Sequence, residues 1–281
     1  MFNRIAARLP LLLSIAGLLI AWPVRAQIET ADAIADSESE LDSTERRGWY
    51  MGRQIAPTMS ADGAEWLTRK SREREEAPHK LLRALQIRPG QHVCDFGCGN
   101  GYYTFQLALR VGPRGKIYAV DIQQRMLDLL RERAASRNID NIAPVLATEI
   151  DPKLPTDKLD LVLMVDVYHE LSQPAEVLAA VNKSLRANGR VVLVEFREED
   201  PDVPIRALHK MSQSQVIKEI AASGFKLVGQ FDELPWQHVL LFAREDSALP
   251  QVKLVPWRPA VSVLSVVPQG SLPQADSQTG D

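Results

Sequence analysis

The strongest constraint on the fold is a set of short apolar runs that do not alternate with polar residues. LVLMV at 161–165 and VVLV at 191–194 present apolar side chains to both faces of any strand they form, so both faces must be covered. Segments with helical spacing alternate with such runs. TFQLALRV ends at Val111. QRMLDLLRERAA carries Met126, Leu127, Leu129 and Leu130 on one stripe. PAEVLAAVNKSLRA is closed by Asn188-Gly189, and SQSQVIKEIAASG is closed by Gly224. The further strands are QHVCDF, GKIYAVD, APVLA, FKLVGQF and HVLLFAR. This alternation predicts an α/β protein built on a doubly wound, mostly parallel sheet with helices on both faces. No internal repeat is present.

Composition divides the 281 residues into segments. Arg4 and Arg8 precede the apolar stretch Leu9–Trp22, and Val24 and Ala26 place small residues for cleavage after Ala26, so residues 1–26 read as a secretory signal peptide. The stretch falls short of the roughly 20 apolar residues that a membrane-crossing helix needs. The expectation is an exported, periplasmic protein with no stable membrane insertion after cleavage. Residues 27–47 are acidic and poor in large apolar side chains, as in a disordered leader. Residues 48–76 carry Trp49, Tyr50, Met51, Met59 and Trp66 and are expected to pack as a helical cap or lid. Within them, RKSREREE at 69–76 reads as a solvated helix with i,i+4 pairs and no catalytic role. Residues 77–246 form the main domain and 247–281 a flexible tail. A formal charge of −3 argues against a nucleic-acid partner. Cys94 and Cys98 are expected as free thiols, because an extended C-x-x-x-C exceeds the ~7 Å span of a disulfide. No metal site is expected.

In such a sheet the ligand sits outside the carboxyl ends of the strands, and the loop after the first strand touches it. VCDFGCGNG at 93–101 stands there, with Gly97 and Gly99 free to adopt unusual backbone angles and Gly101 letting the next helix begin close by. Asp121 ends the second strand 24 residues after Gly97, where a carboxylate accepts hydrogen bonds from both hydroxyls of a ribose. Asp95, beside the loop, suits a cationic ligand and would repel a pyrophosphate. The G-x-G-x-G spacing also differs from the dinucleotide fingerprint. Together these favour a cationic nucleoside over a nicotinamide dinucleotide.

The D-x-G-x-G-x-G motif at Asp95–Gly101, the acid at Asp121, Asp151 in IDPKLP and DVYHEL from Asp166 resemble the class I S-adenosylmethionine-dependent methyltransferases over roughly residues 77–244. The resemblance implies a Rossmann-like fold and S-adenosyl-L-methionine as cofactor. It also implies a set of contacts: Asp95, Gly97, Gly99 and Gly101 around the methionine part, Asp121 with the adjoining Ile122 at the ribose, Asp151 at the adenine amino group, and Asp166 at the mouth of the crevice. Glu149 lies two residues from Asp151 and competes for its role.

The acceptor is expected to be a small molecule, with a protein as the other class of acceptor. Asp166, His169 and Glu170 are the catalytic candidates, His169 either as a general base or as a group packed over the cofactor. Glu195 and Arg197 are read as lining the acceptor pocket or as an ion pair fixing the loop, and His209 and Lys210 as a cover. The rival reading is an exported, non-catalytic nucleoside-binding module with the same fold.

Overall fold

The computed structural model describes residues 48–259; the expected signal peptide, the acidic leader and residues 260–281 lie outside them. The strands are β1 (Trp49–Tyr50), β2 (Arg53–Gln54), β3 (His92–Phe96), β4 (Lys116–Asp121), β5 (Ile142–Leu146), β6 (Leu159–Val165), β7 (Leu185–Arg197), β8 (Lys210–Met211), β9 (Phe225–Phe231) and β10 (Gln237–Arg244). The helices are α1 (Arg72–Glu76), α2 (Pro78–Ala84), α3 (Tyr102–Val111), α4 (Gln124–Ser136), α5 (Pro174–Ser184) and α6 (Gln213–Ala222). The main sheet runs β5-β4-β3-β6-β7-β10-β9, with β8 paired beside β7. Neighbours from β5 through β7 are parallel, and β10 is antiparallel to both β7 and β9. The sheet is therefore mostly parallel and doubly wound. Its order reverses at β3, which lies between β4 and β6, so a crevice opens at the carboxyl ends of β3 and β6.

The non-alternating runs are divided by the pleat. In β6, Val162 and Met164 pack in one core with Val177, Leu178 and Val181 of α5 and with Val216 and Ile220 of α6. Leu161 and Leu163 face the other core, with Leu81 and Leu82 of α2 and Leu107 and Val111 of α3. Each such fully buried side chain contributes roughly 1.5–3 kcal/mol, so a polar residue inside these runs would be destabilising on either face.

Three expectations need correction. First, residues 48–76 are mostly not helical. They form the β1–β2 hairpin, two 3₁₀ turns at Ala61–Gly63 and Trp66–Thr68, and the five-residue α1, because Gly52, Pro57 and Gly63 interrupt any longer helix. Second, α5 stops at Ser184 rather than running to Asn188-Gly189. Leu185 already pairs with Leu159, and an irregularity then shifts the register to Leu161 with Arg190. Gly189 is needed for close approach, since a Cβ there would lie 2.7 Å from the Leu159 carbonyl oxygen. By contrast, Gly224 follows α6 with φ +80, as a helix stop requires. Third, residues 247–259 are tied to the domain. Val252 donates its N–H to the Leu227 carbonyl (2.9 Å) and Trp257 donates its own to Gln213 Oε1 (2.9 Å). Among the described residues, no helix is long and apolar enough to cross a membrane.

Gly189→Ala should therefore destabilise the domain by about 1–3 kcal/mol through overpacking, read as a lower urea midpoint with an unchanged slope. A midpoint equal to that of the wild type would contradict the close-approach role.

Candidate active site

β3 delivers the chain into a loop where Gly97, Gly99 and Gly101 all have left-handed angles, φ +67, +51 and +91. A Cβ on Gly97 would fall 2.4 Å from Val167 Cγ2, and one on Gly99 would fall 2.6 Å from Leu67 Cδ1. These two glycines border a cavity of about 650 Å³ at the switch point, a size that suits a nucleoside-sized ligand. Gly101 lies behind it, against Phe105 at the start of α3.

The predicted acids are distributed unequally around this cavity. Asp121 lines it, with Oδ2 accepting the Gly99 N–H (2.9 Å) and Oδ1 accepting the Gln123 N–H (2.8 Å). Burial raises its pKa, and the backbone bonds oppose the rise. Each oxygen keeps a lone pair for a ligand hydroxyl. Ile122 is 43% exposed on the adjoining wall. Asp166 also lines the cavity, in a left-handed conformation (φ +55), and accepts both contacts of the Gln237 amide at 2.9 and 2.8 Å. Burial, reinforced by Glu76 and Glu195, holds its pKa well above the usual carboxylate range.

Asp95 and Asp151 stand elsewhere. The Asp95 carboxylate is buried behind the loop, where it accepts the Thr104 hydroxyl of α3 at 2.5 Å, and it is not part of the cavity wall. Burial lifts its pKa to about 6 against the opposing pull of Thr104 and Arg72. Asp151 is exposed and turns its carboxylate onto the Lys153 N–H (2.8 Å), while Glu149 lines the cavity after β5 and accepts the Ser172 hydroxyl at 3.1 Å.

Arg72 departs furthest from expectation. It is buried, pairs through Nε with Glu76 Oε2 at 2.7 Å, donates to the Leu67 carbonyl at 2.8 Å, lies 4.2 Å from the Tyr102 ring centre and borders the cavity. An i,i+4 Arg–Glu pattern looks the same on a wet or a dry helix face. No local signal separates them; α1 is held inward by tertiary contact, with Leu67 packed against Gly99 and its carbonyl accepting from Arg72.

The 3₁₀ turn Tyr168–Glu170 after β6 carries the remaining candidates. His169 is buried, with Nδ1 2.6 Å from Glu195 Oε2 and Nε2 3.0 Å from His209 Nδ1, the two imidazole planes crossing at 88°. Glu195 completes its bonding by accepting the Tyr168 N–H at 2.9 Å. Glu170 Oε1 stands 3.9 Å from each histidine nitrogen, and Oε2 accepts the Met59 N–H at 3.4 Å. Burial raises the Glu170 pKa to about 7, with His169 opposing. The His209 pKa is lowered by burial and then by His169. Both nitrogens of His169 are thus engaged within the protein, and Glu170 and His209 form the open edge of the cluster. Arg197 belongs to neither of its expected roles, for it donates to the carbonyls of Asp232, Leu234 and Pro235. Lys210 donates to the Asp200 carbonyl.

Residues 53–72 form a strap across this cavity. Arg53 pairs with Glu219 at 2.8 Å and donates to the His169 carbonyl at 3.0 Å, while the Gln123 amide bonds both Met59 O and the Ala61 N–H at 2.9 Å. Asn100, in the glycine loop, donates to the Ala64 carbonyl at 2.8 Å.

A family model described as a methyltransferase domain matches residues 87–241. The chain belongs to this methyltransferase-domain family. Its sheet order and glycine loop are those of the class I S-adenosylmethionine-dependent methyltransferase fold. The chain is 34% identical over 122 residues to a demethylmenaquinone methyltransferase of Symbiobacterium thermophilum, covering 43% of this chain and 49% of that one. It is 33% identical over 117 residues to the nocamycin O-methyltransferase of Saccharothrix syringae, covering 41% of each. The matching part therefore spans less than half the length of these relatives. A SAM-dependent methyltransferase structure from Aquifex aeolicus superposes with a TM-score of 0.62 at 22% identity, covering 66% of this chain and 98% of that one, which speaks to the fold alone. The cavity fits a nucleoside-bearing cofactor, because Gly97, Gly99 and the Asp121 carboxylate all line it.

Asp121→Ala should weaken S-adenosylhomocysteine binding by about 1.5–3 kcal/mol, the scale of hydrogen bonds to a charged group, or roughly 10- to 150-fold in Kd by calorimetry. Unchanged affinity would remove Asp121 from the ligand site. Asp95 carries a separate expectation. Its folded pKa of about 6 lies above the ordinary aspartate value of 3.8 that holds in the unfolded chain, so the folded protein holds this proton more tightly and its contribution to stability falls as pH rises from about 4 to 6. Asp95→Asn keeps an acceptor for Thr104, and should flatten the dependence of the unfolding midpoint on pH in that window. A slope identical to the wild type would contradict it.

Proposed function

We propose that this chain transfers a methyl group from S-adenosylmethionine to a hydroxyl-bearing small molecule held against His169, Glu170 and His209. The observation that carries the reading is the buried Glu195–His169–His209 chain, which opens onto the same cavity as the glycine loop. Bound there, the cofactor supplies an electrophilic methyl carbon on a sulfonium. Gly97 and Gly99 admit it against the backbone, Asp121 accepts the ribose hydroxyls, and Ile122 and Glu149 flank the base. Arg72 and Asp166, on one wall, suit the carboxylate and ammonium of its amino-acid end. Asp95 acts behind the loop, positioning it through Thr104.

On the acceptor side, Glu195 holds the His169 ring in one orientation, and Glu170 and His209 face the space an acceptor heteroatom would enter. The strap lowers water access to it. Orientation of this kind supplies up to about 7–11 kcal/mol of a barrier, whereas assistance to proton loss adds ~10²–10⁴-fold. Positioning is therefore the larger contribution. The names of the relatives, a demethylmenaquinone methyltransferase and an O-methyltransferase, make reduced quinones and phenolic or enolic hydroxyl compounds the first acceptors to try.

Incubation with methyl-labelled S-adenosylmethionine and such a panel should give a labelled small-molecule product with stoichiometric S-adenosylhomocysteine. Asp121→Ala should lose this activity in step with its loss of binding. Cofactor binding with no methylated product from any acceptor would overturn the reading in favour of a nucleoside-binding module.

A further inference from the structure

We propose that His169, Glu170 and His209 form a binding site for one divalent transition-metal ion of the zinc(II) type, facing the cofactor cavity. Their donor atoms, His169 Nε2, His209 Nδ1 and Glu170 Oε1, all lie within 4.8 Å of one another, at 3.0, 3.9 and 3.9 Å. The nearest point equidistant from all three lies in the plane of the donors, about 2.1 Å from each, which is the bond length zinc takes with imidazole and carboxylate ligands. Two imidazoles and one carboxylate around an open side match the composition of catalytic zinc and non-haem iron sites.

The surroundings point the same way. His169 passes its other nitrogen to Glu195 at 2.6 Å, the carboxylate–histidine arrangement that fixes the tautomer of a metal-bound imidazole and leaves Nε2 as the donor atom. Glu195 is itself held by the Tyr168 N–H. Glu170 is anchored through Oε2 by the Met59 N–H, which leaves Oε1 turned toward the histidines. His209 and Glu170 both border the cavity, so a ligand of the ion could come from there. Resting on the methyl-transfer reading, this makes the acceptor a compound whose hydroxyl oxygen occupies the ion's open position. The sequence conceals the site because His209 stands 40 residues from His169, outside any ligand motif.

The test is titration of the untagged protein with zinc(II) by calorimetry and with cobalt(II) by visible absorption, without cofactor or acceptor. One equivalent should bind, and cobalt should develop ligand-field bands. His209→Ala, on a partly exposed turn, should weaken zinc binding by more than about 100-fold, and Glu195→Gln by about 10- to 100-fold. His79→Ala, on the exposed face of α2, should leave it unchanged. Retained S-adenosylhomocysteine binding by His209→Ala checks that the variant is folded. Failure of the wild type to bind zinc, or equal affinity in His209→Ala, would overturn the metal site. Since no methyl transfer is measured, either result leaves the activity test to stand or fall on its own.

Discussion

Glu195 has no solvent exposure at the carboxyl end of β7, where an unpaired buried charge would cost several kcal/mol. Its two oxygens are both used, one by the Tyr168 N–H and one by His169 Nδ1, and through them the sheet dictates the shape of the turn after β6. That turn then presents the His169 carbonyl to Arg53 and to the Ala56 N–H, which is where the N-terminal strap attaches. Loss of this carboxylate would thus loosen the histidine cluster and the strap together, although neither belongs to β7.

The strap and the sheet hold by different means. β6 and β7 are locked by apolar burial on both faces, whereas neither 3₁₀ turn of the strap buries a residue. The strap relies on side-chain to backbone bonds from Gln123, Asn100 and Arg53 and on Trp66 and Leu67. Segments held in this way belong to the low-stability end of a protein's opening spectrum, which suits a covering element that must admit a ligand. The same covering strengthens the charges it encloses. Arg72, Glu76 and Asp166 act on one another where water is excluded, and the raised pKa of Asp166 follows from that burial.

Much of the fold was legible because its signals are local. A strand buried on both faces must read as an unbroken apolar run, a left-handed loop must be written in glycine, and a helix stop such as Gly224 needs φ +80. Gly189 was misread because a helix-ending glycine and a close-approach glycine look alike in one dimension. Asp151 and Glu149 were interchangeable for a similar reason. Two residues apart in a loop of no fixed period, either acid can be the one turned inward, and hydrogen bonding of Asp151 to the Lys153 N–H settled it.

The sequence by itself determined the sheet, the position of its crevice and the glycine loop with the acid at Asp121 beside it, since period, glycine and that acid are properties of neighbours along the chain. Tertiary structure alone decided that Arg72 lies at the cavity, that Asp95 stands behind the loop, and that His169 meets Glu195 and His209. Those contacts join residues 26 and 40 positions apart or depend on which face of a short helix is dry. They are set by how the elements pack, and no local pattern encodes that.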